Sequence, residues 1–142
     1  MTYNEVINRM GALGDALQLP LPAKAMSATL LMRTHYAKGI KEWQTICEQL
    51  HKDIPQKDDE SEDDYMARIN EVATEKSKEE TTLADRRYTP EVFEQICGAA
   101  TDKGEMQSSV HVGLDDKGKP TAAKVPAWMW LEYIAANLVQ EE

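Results

Sequence analysis

The strongest periodic pattern in the chain runs from Pro22 to Lys52. Apolar or small residues recur at Ala25, Ala28, Met32, Tyr36, Ile40, Trp43, Cys47, Leu50 and Ile54, in steps of 3 or 4. Their mean spacing is close to about 3.6, the period of a straight α-helix and not that of a supercoiled heptad seam. Pro22 suits the first helical turn, where its missing N–H does no harm, and Pro55 closes the segment. About thirty residues rising 1.5 Å each make a rod of roughly 45 Å, longer than a compact domain of this size needs. Ala23, Ala25 and Ala28 let another backbone approach one end. Tyr36, Trp43 and Leu50 make the other end bulky and are its candidate interaction residues. Gly39 sits inside the helix at a cost of about 1 kcal/mol, which points to close packing or a bend.

The flanking patterns predict shorter elements. Residues 2–18 read as a helix capped by Thr2, with Glu5 three residues on and a stripe of Val6, Met10, Leu13 and Leu17. "LPLP" (19–22) enforces an extended break. After the rod, "QKDDESEDDY" (56–65) is densely acidic. It lacks the glycine and glutamate register of an EF-hand, so the acidic stretch 53–64 reads as a loop running into a helix capped by Ser61. Glu62, Asp63 and Asp64 then occupy a first turn that favours negative charge. That helix carries Tyr65, Ile69, Val72 and Ala73 and fades into "EKSKEETT", so the segment 76–88 is expected to be mobile. Thr89 and Pro90 restart a helix with Val92, Phe93, Ile96 and Cys97 inward, stopping between Gly98 and Gly104. Val110, Val112 and Leu114 alternate with polar or small residues, "DDKGKP" is turn chemistry, and "TAAKV" (121–125) returns, which together predict a small β-hairpin.

The closing segment "PAWMWLEYIAANLVQ" is apolar nearly all round. Trp128, Leu131, Ala135 and Leu138 form one stripe, assigned to the core. Trp130 and Tyr133 lie on a second face, assigned to a partner because Trp and Tyr anchor interfaces. A membrane-surface helix would carry Lys or Arg on its polar face, and residues 125–142 contain none. No stretch approaches the roughly 20 apolar residues of a membrane span.

Composition narrows the function classes. The 142 residues carry 25 acidic and 16 basic side chains, a net charge of −9, which argues against direct nucleic-acid binding. Cys47 and Cys97 read as buried thiols of a reducing compartment, and the start of the chain has no apolar leader pattern, so the expected location is cytoplasmic. Cys47 and His51 are four apart on one helix face, but only one short metal-ligand spacing exists. No metal or cofactor is expected. Cys97 with His111 has no framing catalytic motif, "GLDDKGK" lacks phosphate-loop spacing, and His35 reads as a surface or interface polar group. No catalytic residue can be assigned, and the chain is read as not an enzyme.

The rod "LPLPAKAMSATLLMRTHYAKGIKEWQTICEQL" together with "VPAWMWLEYIA" resembles small helical structural and assembly proteins of tailed bacteriophages. Those proteins pair a Pro-Ala-Lys helix start and an apolar-basic first half with an acidic-aromatic second half. The resemblance implies a virion connector, a tail-associated subunit or an assembly factor. The expected fold is a single mainly α domain: a long central helix, shorter packed helices and one small β-hairpin before the C-terminal helix. The expected function is protein–protein assembly, with itself or with other virion subunits, as an oligomer or part of a complex. A small acidic inhibitor that mimics nucleic acid on a host protein is the alternative.

Overall fold

The computed structural model describes residues 1–141. The chain runs α1 (Tyr3–Ala16), α2 (Ala23–Asp53), α3 (Glu62–Lys76), α4 (Pro90–Lys103), β1 (Glu105–Leu114), β2 (Pro120–Pro126) and α5 (Ala127–Asn137). The fold is mainly α, with one long central helix and a single antiparallel hairpin directly before the C-terminal helix. Local chemistry sets the boundaries. Thr2 and Glu5 form a reciprocal capping box, Ser61 accepts from the Asp64 N–H, and Thr89 accepts from Val92 with Pro90 next in line. Gly104 ends α4 at φ 85°, a left-handed conformation that favours glycine.

One core joins these elements. Val6 and Leu13 of α1, Met32 and Tyr36 of α2, Val92 and Ile96 of α4, Met106 of β1 and Ile134 of α5 all lie in it. The cover over α2 is partial. Its buried residues run from Ala25 to Gly39, and beyond Gly39 only Leu50 is buried. That distal half is backed by α3, whose buried Tyr65 and Ile69 stand outside the main core, as Leu50 does. The Tyr65 hydroxyl donates to the Ile54 carbonyl at 2.6 Å, tying α3 to the end of α2. Arg68 forks onto the Glu60 carboxylate at 3.0 and 2.7 Å and also reaches the Pro55 carbonyl at 3.1 Å. This guanidinium holds the Glu60 carboxyl below the ordinary range.

Residues 76–88, which the sequence pattern leaves thin, carry the most elaborate polar network of the molecule. The buried Arg9 guanidinium pairs with Asp85 and donates to the Tyr36 hydroxyl at 3.0 Å. That hydroxyl donates to the Arg86 carbonyl and accepts from the Arg86 N–H at 2.8 Å. Burial works against the Asp85 charge, but hydrogen bonds from Arg87 and Arg9 outweigh it and hold its carboxyl below the ordinary range. His35 is a correction to the sequence reading. It is buried, and its Nε2 lies 2.7 Å from the Ala84 carbonyl, so it anchors the segment 76–88, a strap laid along α2, and is not a surface group. At the far end the Tyr88 hydroxyl meets Thr29 Oγ1 at 2.6 Å, and burial pushes that hydroxyl up to about 12. The Tyr88 backbone pairs with Leu138 and Gln140 at 2.6 and 2.8 Å, locking the strap to the end of the chain.

Gly39 is explained by close packing. A Cβ there would stand 2.7 Å from a Leu83 methyl of the strap and 2.9 Å from a Val6 methyl. Val6 is β-branched and fully buried, so it has little freedom to yield. Gly98 of α4, by contrast, has nothing within 4 Å of such a Cβ. Gly98→Ala is therefore expected to stabilise the fold by about 0.5–1 kcal/mol. Gly39→Ala is expected to destabilise it by about 1–2 kcal/mol despite the gain in helix propensity. Urea melts of the two variants check this, and a shift of the same sign in both would contradict the packing at Gly39.

Candidate interaction surface

The hairpin has two halves that face differently. In the proximal half Met106 pairs with Val125 and Ser108 with Ala123, and Met106, Val125 and Ser108 are buried. The register then jumps, because Ala123 pairs with Ser108 whereas the next residue back, Ala122, pairs with Val112. Ser109, Val110 and His111 are looped out between them. An odd number of inserted residues reverses the side-chain alternation. Val112 and Leu114 share the even phase of Met106 and Ser108 in sequence, yet they emerge on the opposite face, 70% and 72% exposed. Their cross-strand partners, Ala122 and Pro120, are small or apolar too. The distal hairpin thus presents an apolar outer face to solvent.

The bulge is held by α1. The Asp15 carboxylate accepts from the Ser109 N–H and from its hydroxyl, each at 2.7 Å. Gly11 permits the approach, since a Cβ there would lie 3.0 Å from the Ser109 Cβ. Ser108 Oγ stands 2.6 Å from His111 Nδ1. Burial pushes the Asp15 carboxyl above its ordinary range, while the two Ser109 bonds and the nearby Trp130 indole oppose that shift. The indole N–H comes near the carboxylate but falls short of hydrogen-bond geometry and has no other partner.

The closing helix reverses the expected assignment of its faces. Trp130 is fully buried, whereas Trp128 is 63% exposed. The stripe that faces inward is Ala127, Trp130, Ile134 and Leu138, not Trp128, Leu131 and Ala135. The cause lies upstream. β2 enters the helix with Val125 directed into the core, and the Ala127 N–H donates to the Gly104 carbonyl at 2.9 Å, which fixes the rotation of the first turn. Exposed Trp128 lies beside a shallow cleft of about 350 Å³ shared by His111, Met129, Glu132 and Tyr133.

Other residues expected at an interface divide in the same way. Tyr36 is fully buried, and its hydroxyl is saturated by the strap; Leu50 is buried between the rod and its α3 side. Neither is available to a partner, and Trp130 is unavailable for the same reason. Trp43 is half-buried against Tyr3, ring centroids 5.7 Å apart, and Tyr133 is half-buried at the cleft. The exposed apolar side chains are instead Leu30, Leu31, Met66, Val112, Leu114 and Trp128.

Cys47, His51, Cys97 and His111 do not converge, and among the described residues no three His, Cys, Asp or Glu side chains gather as a metal site would require. Burial raises both thiols above their ordinary pKa, the opposite of nucleophile activation. Ser108 and His111 do not form a relay with Asp15, whose carboxylate engages Ser109, and Ser108 itself is sealed from solvent. No helix is long and apolar enough to cross a membrane among the described residues. Comparisons with protein-family models, with curated proteins and with solved structures returned no match.

Trp130→Ala is expected to cost about 3–5 kcal/mol in denaturant melts, and Trp128→Ala less than about 1 kcal/mol. The reverse order would contradict the rotation of α5. The Asp15 carboxyl should also titrate above the ordinary value of about 3.9. Since its folded pKa is raised, Asp15 contributes most to stability when protonated, and that contribution falls as pH rises from the unfolded value through the folded one. Ser109→Ala removes one opposing hydrogen bond and should move the titration higher still, as read by carboxyl carbon NMR. An unchanged or lower midpoint would contradict the Asp15–Ser109 link.

Proposed function

We propose that this chain is a non-enzymatic subunit of a protein assembly, binding copies of itself or other subunits through apolar surface that its own fold leaves uncovered. The observation that carries the reading is the distal hairpin. Its outward face holds Val112 and Leu114, both more than two-thirds exposed, because a bulge pinned by Asp15 turns that face away from the core. A bulge fixed by a buried carboxylate is a specific device, and an exposed, uncharged strand face is otherwise a liability for a soluble chain. Trp128, with its large apolar ring 63% exposed, adds the residue type that most often anchors an interface.

The likeness of the rod and of "VPAWMWLEYIA" to small tailed-phage proteins supports placing such an assembly in a virion or its construction pathway, as a connector, a tail-associated subunit or an assembly factor. Binding energy here comes from burying apolar area and not from bond chemistry. At roughly 25 cal/mol per Å², covering a few hundred Å² of hairpin is a meaningful but not overwhelming contribution, suited to a subunit that adds into a larger structure.

The test is sedimentation of the full chain across the micromolar range, beside the double variant Val112→Asp, Leu114→Asp. Wild-type protein is expected to associate, and the variant to associate at least about tenfold more weakly with an unchanged melting temperature. A wild-type chain that stays monomeric and offers no binding lost in the variant would refute the reading. A tight complex with a DNA-binding protein, broken by charge reversal of Asp58, Asp59 and Asp63 and not by the hairpin variant, would favour the acidic-mimic alternative.

A further inference from the structure

The first half of α2 shows a second uncovered surface, of different chemistry. Its outward stripe is Leu30, Thr34, Ala37 and Lys41, at i, i+4, i+7 and i+11, all exposed. Beside that stripe two adjoining depressions of about 390 and 290 Å³ share Met10, Thr34 and Ala37, so they form one shallow groove along the α1–α2 junction. The floor is Met10, Ala37 and Ile40, and the rim is Arg33, Lys38 and Lys41. From Leu30 to Gln44 the groove is about 21 Å long at 1.5 Å per residue, or four helical turns.

Lys52, Lys57, Lys117 and Lys119 are unpaired among the described residues, and three more unpaired cations gather on this rim. The net charge is −9, yet Arg33, Lys38 and Lys41 make no ion pair and no side-chain hydrogen bond among the described residues. By contrast Arg9, Lys24, Arg68, Lys76, Lys78, Arg87 and Lys124 are all paired. Three free cations therefore border an apolar trough whose centre, at Thr34 and Ala37, is small enough for a second helix to approach closely. An acidic amphipathic helix has the complementary form.

The chain itself carries one. The solvent face of α3 presents Asp63, Met66, Ala67, Asn70, Glu71 and Thr74, all exposed. Met66, 40% exposed, is one of the few large apolar side chains left uncovered, and an unbranched Met packs well into an irregular trough. The helix is also held firmly for the task. Tyr65 ties it to the Ile54 carbonyl, and Arg68 clasps it to Glu60 and Pro55, so its outer face is presented on a braced arm at the far end of the rod.

We infer that the groove of one copy receives the α3 face of a second copy, with Met66 over Met10 and Ala37 and the carboxylates of Asp63 and Glu71 against Arg33, Lys38 and Lys41. This deepens the assembly reading and rests on it, since it names the partner as the chain itself and the contact as heterologous. Because the groove along Leu30–Gln44 and the solvent face of α3 are separate surfaces, each copy keeps one donor and one acceptor surface free. Such a contact repeats head to tail, closing into a ring or extending as a filament. The hairpin face is separate from both surfaces and adds a second contact within the same assembly.

The test is a charge exchange on the full chain. One variant carries Lys38→Glu and Lys41→Glu, a second carries Asp63→Lys and Glu71→Lys, and sedimentation is followed alone, in an equimolar mixture and with added salt. Each variant alone is expected to self-associate at least about tenfold more weakly than wild type, since like charges now face one another. The mixture should recover association with the two variants alternating in equal numbers, because the groove of each matches the α3 face of the other while neither matches its own, and wild-type association should weaken as salt rises. All four positions are exposed, so melting temperatures should move only slightly, downward for Asp63→Lys in the first turn of α3, and a variant that melts early is replaced by the milder Lys41→Gln or Glu71→Gln. Association that persists unchanged in both variants, yet is lost on Val112→Asp, Leu114→Asp, would overturn the groove and leave the assembly reading standing. A monomer at every concentration would overturn both.

Discussion

A helix of 31 residues is about 46 Å long, and a chain of 142 residues has too little apolar mass to cover it. The rest of the architecture follows from that mismatch. The core gathers on the first half of α2, where α1, the strap and α4 pack while α5 closes over α4 and the hairpin, and burial along the rod stops at Gly39 apart from Leu50. In the second half Trp43 meets Tyr3 of α1 and the end beyond it is backed by α3, and the loop between α2 and α3 is stiffened by the Arg68–Glu60 fork. Its heavy negative charge keeps that outlying arm soluble, since Asp58, Asp59, Glu62, Asp63 and Asp64 are all exposed.

The strap solves a second problem created by the rod. α3 starts at the far end of the rod and ends beside the start of α1, from where the chain must run on along α2 to begin α4. It does so without regular structure, so its backbone groups need partners from side chains. Tyr36 supplies them for Arg86 and His35 for Ala84, while the backbones of Met1, Tyr3 and Asn4 meet those of Thr81, Glu79 and Ser77. A buried arginine is tolerable there because Asp85 and the Tyr36 hydroxyl both meet it, and losing either would leave an uncompensated charge inside. Gly39 is the steric counterpart of the same arrangement, since the strap lies where a side chain would be.

Much of the fold was legible as period, and little of it as phase. The 3.6 spacing marks α2, and caps at Thr2, Ser61 and Thr89 mark three other helices to within a residue or two. Periodicity cannot choose between two apolar stripes on one helix. Trp128 and Trp130 both qualify, and the rotation of α5 is decided by how β2 delivers the chain to it. The hairpin poses the same difficulty, since Val112 and Leu114 continue the phase of Met106 until a bulge of three residues, visible only through pairing, reverses it. The strap escaped notice because its partners are polar side chains far away in sequence.

What remains uncovered is of two kinds: a neutral apolar face on the hairpin with Trp128 nearby, and a basic-rimmed groove matched by an acidic helix. Both are surfaces that the proposed assembly would cover. Hydroxyl-radical footprinting from dilute to concentrated solution tests that most directly, because methionine and tryptophan report their own exposure. The account predicts that oxidation of Met66 falls with concentration while the buried Trp130 stays protected throughout. Met66 oxidation that is constant across the whole range, with the chain sedimenting as a single copy, would contradict it.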